Sequence, residues 1–162
     1  MLTLLTLATV ALAAPEMIPD KQTDLVGRTA PEFQAKTFEG DEFDLESLRG
    51  KTVVLSFWAS WCTPCRLELP ALAKLQKERD DVVIFAVNVD RQRPPAEKFL
   101  KQVHFELPVV WDNQSIAMGQ YDVLSMPTMF VLDKQGTVKF RKTGFSKEKG
   151  LVELIGVLDG LR

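Results

Sequence analysis

The sequence predicts an α/β domain in which a central mixed sheet carries helices on both faces. Three observations point there. Val53-Val54-Leu55-Ser56-Phe57-Trp58 is an almost unbroken apolar run of strand length, as expected for a strand covered on both sides. Pro64 to Glu78 sets Cys65, Leu69, Leu72 and Leu75 at helical spacing, with Arg66, Lys74, Lys77 and Glu78 between them. Val82 to Val89 is a second buried strand, so strand, helix and strand follow in the order of a βαβ unit with a parallel pair.

The chain has 162 residues, 46% hydrophobic and 26% charged, which is enough for one domain with a core that needs no disulfide staples. Twenty Lys and Arg against 22 Asp and Glu leave a formal charge of -2 with no long run of either sign. A surface built for nucleic acid or anionic lipid is therefore not expected.

Met1 to Ala14 reads M-L-T-L-L-T-L-A-T-V-A-L-A-A, with no charged side chain before Glu16. It is shorter than the roughly 20 residues that cross a hydrocarbon core, but it suits a signal-peptide apolar region, with Ala11-Leu12-Ala13 as an A-x-A cleavage site. Residues 1–13 are read as an export signal, 14–24 as a polar tether and 25–162 as the domain. A signal normally opens on Lys or Arg, which this stretch lacks; a start upstream of Met1 would lengthen it into an uncleaved anchor.

Leu25 to Gly50 is short and turn-rich, with Phe33 among polar positions and Glu39-Gly40-Asp41 ahead of Phe43 and Leu45. This predicts a β-hairpin, then one helical turn at Leu45 to Leu48. In the helix from Pro64, Pro70 removes a backbone donor and is expected to bend it. Pro94-Pro95 opens another helix through Ala96, Phe99, Leu100 and Val103; Leu107 to Trp111 is a short strand, and Asn113 is read as the cap of a helix through Ile116, Met118 and Tyr121. Thr128 to Leu132 and Thr137 to Arg141 form a hairpin about the Asp133 to Gly136 turn. Ser146 to Leu158 closes the chain as a helix, with Leu151, Leu154, Ile155 and Leu158 on one side.

Cys62 and Cys65 are the chain's two cysteines, and both stand where a buried parallel strand gives way to a helix. Carboxyl ends of strands in open α/β sheets are where chemistry gathers, and a helix N-terminus directs unpaired N–H groups at what precedes it. A thiolate at Cys62 is stabilised there, its pKa lowered from about 8.5 toward 7 or below. Cys65, one turn further in, is expected to be more buried and less ionised. That asymmetry suits thiol–disulfide exchange, in which Cys62 attacks a substrate disulfide and Cys65 resolves the mixed disulfide. Thr63 and Pro64 between them tune the redox poise, and Pro64 suits the first helical position. A purely structural disulfide would close a very short loop and stabilise little, and a zinc site lacks ligands, the single His104 standing far along the chain.

The string Trp58-Ala59-Ser60-Trp61-Cys62-Thr63-Pro64-Cys65-Arg66, with Met126-Pro127-Thr128 opening a later strand, resembles the thioredoxin superfamily, in particular its exported TlpA/ResA-like (DsbE-like) thiol-disulfide oxidoreductases. The resemblance runs from about Leu25 to Leu158 and implies a three-layer thioredoxin-like fold with an added N-terminal β-hairpin and a helix-strand-helix insert between Asp90 and Ser125. It implies Cys62 as nucleophile, Cys65 as resolving thiol and Pro127 as a cis-proline whose loop lies against the disulfide, letting Met126 offer backbone hydrogen bonds to a substrate strand. Glu68 matches the acid that ResA-like members carry one turn after the second cysteine, where it can take the Cys65 proton. Thioredoxins proper have a buried Asp where this chain has Ser56, which leaves Glu68 as the acid for that role. Trp61 is expected to shape the substrate-facing surface.

The resemblance further implies disulfide-bearing exported proteins as substrates, such as apocytochrome c or copper-site cysteines, a membrane electron donor for re-reduction, an extracytoplasmic location, a monomer and no cofactor. Two alternatives stand beside it. A copper-delivery module would use Cys62, Cys65 and His104, although such proteins space their cysteines by three residues. A peroxiredoxin-like peroxidase would want Pro and Thr or Ser where this chain has Leu55 and Ala59.

Overall fold

The computed structural model describes residues 25–162; the expected signal and the tether lie outside them. Strands β1 (Gln34–Thr37) and β2 (Glu42–Asp44) form the N-terminal hairpin, followed by a 3-10 turn at Glu46–Leu48. Then come β3 (Thr52–Trp58), α1 (Cys65–Glu78), β4 (Val82–Asn88), α2 (Arg93–Val103), β5 (Val109–Trp111), α3 (Ile116–Gln120), β6 (Thr128–Leu132), β7 (Val138–Thr143) and α4 (Val152–Asp159). They build one seven-stranded sheet in the order β2-β1-β5-β4-β3-β6-β7. The sheet is mixed as expected: β3 runs parallel to β4 and β4 to β5, while β6, β7 and the hairpin join antiparallel.

Every residue of β3 is buried, because the strand is central and both its faces are covered. Side chains alternate across it. Val54 and Trp58 join Leu69 and Leu72 of α1, Phe99 of α2 and Leu154 and Leu158 of α4 on one face. Val53, Leu55 and Phe57 join Phe33, Phe43, Tyr121 and Phe130 on the other, beneath the N-terminal segment and α3. The result is the three-layer thioredoxin-like architecture. Arg79, just past α1, bonds Asp81 at 2.6 and 2.7 Å and Asp159 of α4 at 2.8 Å, tying the distal ends of the two helices together.

Some expectations shift. Ser115 is at the N-cap position of α3, and the side chain that caps the helix is Asp112 rather than Asn113: the Asp112 carboxylate accepts the N–H groups of Ile116, Ala117 and Met118 at 2.7 to 3.2 Å, a position the side chain reaches because β5 ends just before it. The last helix begins at Val152 rather than Ser146, after a turn in which Gly150 takes a positive φ of 50° that helix cannot continue through. Ile155 is 39% exposed, so the buried side of α4 is carried by Leu154 and Leu158.

Candidate active site

The loop from Ala59 to Pro64 leaves the carboxyl end of β3 and is pinned from the side. Asp90, just beyond β4, accepts the Ser60 N–H at 2.8 Å, the Ser60 hydroxyl at 3.0 Å and the Asn88 side-chain amide at 2.8 Å. Its own carbonyl accepts the Trp111 indole N–H at 2.8 Å. Asn88 and Asp90 are buried, so the chain two residues before Cys62 is held by fixed donors and acceptors rather than by water. Sequence reading missed this clamp. The signal available was a run of polar residues, Asn88 and Asp90, at the carboxyl end of an otherwise apolar strand.

From that anchor the chain turns, with the Cys62 N–H bonded to the Ala59 carbonyl at 3.1 Å, and enters α1. Pro64 stands at the cap and Cys65 opens the helix, one residue later than expected. A disulfide joins Cys62 and Cys65, whose Cα atoms are 5.4 Å apart. The Cys65 N–H points back at the Cys62 sulfur, 3.2 Å away. That donor, one of the free N–H groups of a helix start, would hold a thiolate at Cys62 in the reduced protein. Cys62 keeps 3% of its surface and Cys65 none, so access, though narrow, is from the Cys62 side.

Glu68 lies three residues after Cys65, on the same side of α1. It is 1% exposed, not a solvated helix carboxylate. One oxygen accepts the Ser56 hydroxyl at 2.6 Å, and the other is buried with no partner among the described residues. Burial pushes the carboxyl up to about 7, and the Ser56 bond and the charge of Lys142 offset only part of that rise. A group poised there can both take and return a proton at neutral pH.

The Met126–Pro127 peptide bond is cis. Met126 is half-buried and packs against the cluster that contains both sulfurs, and neither of its main-chain polar groups is hydrogen-bonded among the described residues. Trp61 is 70% exposed and Thr63 is exposed, with Pro64 half-buried between the cysteines. His104 is elsewhere. It ends α2 in a left-handed conformation and lines an open groove of about 510 Å³ with Pro70, Lys74, Lys77 and Phe105, a groove to which neither cysteine contributes. Among the described residues no cluster of three or more His, Cys, Asp or Glu could hold a metal ion.

With a cysteine pair at a strand-to-helix junction and a cis-proline ahead of a later strand on the page, comparison with known proteins becomes decisive. Residues 26–141 match the AhpC/TSA family. This chain belongs to that family. Within AhpC/TSA it is 39% identical over 127 residues to the thiol-disulfide oxidoreductase ResA of Geobacillus thermodenitrificans, covering 77% of this chain and 73% of that protein. It is 36% identical over 127 residues to the thioredoxin-like protein YneN of Bacillus subtilis, covering 76% and 74%. The crystal structure of a thiol:disulfide interchange protein DsbE from Chlorobium tepidum superposes with a TM-score of 0.78 at 33% identity, over 85% of this chain and 98% of that one. StoA of Bacillus subtilis gives 0.67 at 28% identity, over 80% and 97%. This AhpC/TSA member is a thiol-disulfide oxidoreductase built on a Cys62–Cys65 pair.

Proposed function

We propose that the chain is a reductant of disulfides in exported proteins, working outside the cytoplasm and recharged by a membrane electron donor. The observation that carries the reading is the buried Glu68 carboxyl, one helical turn from Cys65 with an unpartnered oxygen and a proton affinity near neutrality. In the reduced enzyme the Cys62 thiolate attacks one sulfur of a substrate disulfide; that S–S bond breaks, a mixed disulfide forms, and the departing substrate thiolate takes a proton from solvent. The Cys65 thiol then gives its proton to Glu68 and attacks the Cys62 sulfur. The substrate leaves as a second thiolate, two electrons richer in all, and the Cys62–Cys65 disulfide remains. Glu68 returns the proton when the pair is reduced again.

The remaining residues support binding. Trp61, Thr63 and Pro64 offer an exposed surface around Cys62, and the free main-chain groups of Met126, ahead of Pro127, suit pairing with an extended substrate segment. The substrates proposed are those that the family resemblance implies, apocytochrome c or copper-site cysteines. A copper module is disfavoured because, among the described residues, His104 and the cysteines form no group that could hold a metal ion, and a peroxidase because Leu55 and Ala59 stand where its Pro and its Thr or Ser would be.

Insulin disulfide reduction tests the reading. Cys62→Ser should abolish it and His104→Ala should leave it intact; full activity in Cys62→Ser would overturn the mechanism. The reduction potential of the pair decides direction. A value near the roughly -270 mV of thioredoxin fits a reductant, and one near the roughly -120 mV of a strong oxidant would reverse the assignment.

A further inference from the structure

Lys142 is a cation in an unusual place for a surface strand. The pairing of β3 with β6 sets Ser56 opposite Met129, and the pairing of β6 with β7 sets Met129 opposite Lys142. Residues directly opposite share a face, so Ser56, Met129 and Lys142 form one row across three strands, on the face that α1 and α4 cover. Two strand spacings, about 10 Å, separate the ends of that row, a span that a lysine side chain shortens by its own length. Met129, 1% exposed, fills the middle with apolar atoms. At one end the Ser56 hydroxyl holds Glu68. At the other the Lys142 ammonium, with its side chain only 17% exposed, pairs with Glu153 of α4 at 3.0 Å, whose side chain is 53% exposed.

We propose that Lys142 is a positioning charge for Glu68: one ammonium is shared between a buried carboxyl beside the thiol pair and a carboxylate at the rim, and the balance between them governs the proton that Glu68 carries. The proposal rests on the reductase reading above for its functional meaning, but not for its test. Among the described residues the groups that face Glu68 are few. β3 contributes Ser56, β6 the apolar Met129, β7 Lys142, and the motif the two sulfurs, titratable once reduced. From α4 the nearest charge to Lys142 is Glu153, while Lys147, Glu148 and Lys149 lie exposed in the turn before that helix. Arg141, the neighbour of Lys142, points to the opposite face, over the Phe130 ring. The low-dielectric path through Met129 keeps the Lys142 field from being screened as a surface charge would be.

Two substitutions with opposite signs follow. Removing the cation makes the charged form of Glu68 less favourable, and removing Glu153 frees the cation to favour it. The experiment follows the side-chain carboxyl carbon of Glu68 by NMR against pH in the oxidised full chain, with the resonance assigned by its loss in Glu68→Gln. Lys142→Met should move the midpoint up by about half a pH unit or more, and Glu153→Gln should move it down by less. Lys142→Arg should stay near wild type. A Lys142→Met midpoint at the wild-type value overturns the proposal, as does a Glu153→Gln shift in the upward direction or a Lys142→Arg midpoint that follows Lys142→Met. Glu153 and Lys142 are at the rim, so both variants are expected to fold. The readout uses no turnover, which separates its outcome from that of insulin reduction.

Discussion

Two buried carboxylates stand at the starts of two helices in this molecule, and they are held in opposite ways. Asp112 precedes α3 and accepts three backbone N–H groups through both oxygens. Glu68 lies in the first turn of α1, accepts one hydroxyl and leaves an oxygen bare. Burial raises both, but at Asp112 three fixed donors pull back, whereas at Glu68 the single hydroxyl and the more distant Lys142 leave the group near neutrality. The difference lies in the number of donors each carboxylate finds. A carboxylate saturated by a helix end is a structural cap, and one left short of donors a turn after the cysteine pair has the proton affinity that the proposed carrier role needs.

The largest effect is expected at the saturated acid. Asp112→Ala strips the partner from three N–H groups, at least one of them fully buried, and should destabilise the fold by about 2–4 kcal/mol in denaturant unfolding at pH 7. Insulin reduction by the folded fraction should be little changed. A loss below about 1 kcal/mol would mean that α3 does not depend on this cap.

Glu68→Gln should act with the opposite sign. The folded carboxyl, pushed up to about 7 from an ordinary 4.5, contributes its full stability below about pH 4.5 and loses it as pH rises through 7, because the unfolded chain ionises first. Glutamine has no such dependence. The stability gap between Glu68→Gln and wild type should therefore widen in favour of the variant by roughly 3 kcal/mol between pH 4.5 and 8, measured on the oxidised proteins. A gap that does not change with pH would place Glu68 among ordinary carboxylates. The same variant should slow the step in which Cys65 resolves the mixed disulfide.

Much of this is legible in the sequence alone. The apolar run of β3, the amphipathic α1 and the cysteines at their junction are local patterns, and local patterns set the βαβ unit and the placement of the pair. Glu68 could be nominated, but its burial could not, since first-turn acids are common for dipole reasons alone. What escaped depends on neighbours distant in the chain. Asp90 clamps Ser60 from thirty residues away, and Lys142 joins Ser56 only through the register of three strands, with an irregularity between Val131 and Leu132 that a reader of the sequence cannot place. The capping of α3 was misassigned by one residue for a simpler reason. Asp and Asn are both good caps, and only the end point of β5 chooses between Asp112 and Asn113.

Ser56 gives the smallest and most discriminating test. Its hydroxyl is the only hydrogen-bond donor that Glu68 finds among the described residues, and it stands in an apolar strand where nothing else requires a polar side chain. Ser56→Ala removes that donor with almost no change in packing volume. The charged carboxylate loses more than the neutral acid does, because a hydrogen bond to an ionised acceptor is the stronger of the two. The Glu68 midpoint should therefore climb further, and the variant should be less stable than wild type by about 1 kcal/mol at pH 8 and by less at pH 4.5. If the midpoint stays where it is in wild type, the donor count does not separate Glu68 from Asp112, and burial alone must account for its proton affinity. If it climbs, one hydroxyl on a central strand is the difference between a carboxyl that half-ionises near neutrality and one that stays protonated through the pH range in which thiols exchange.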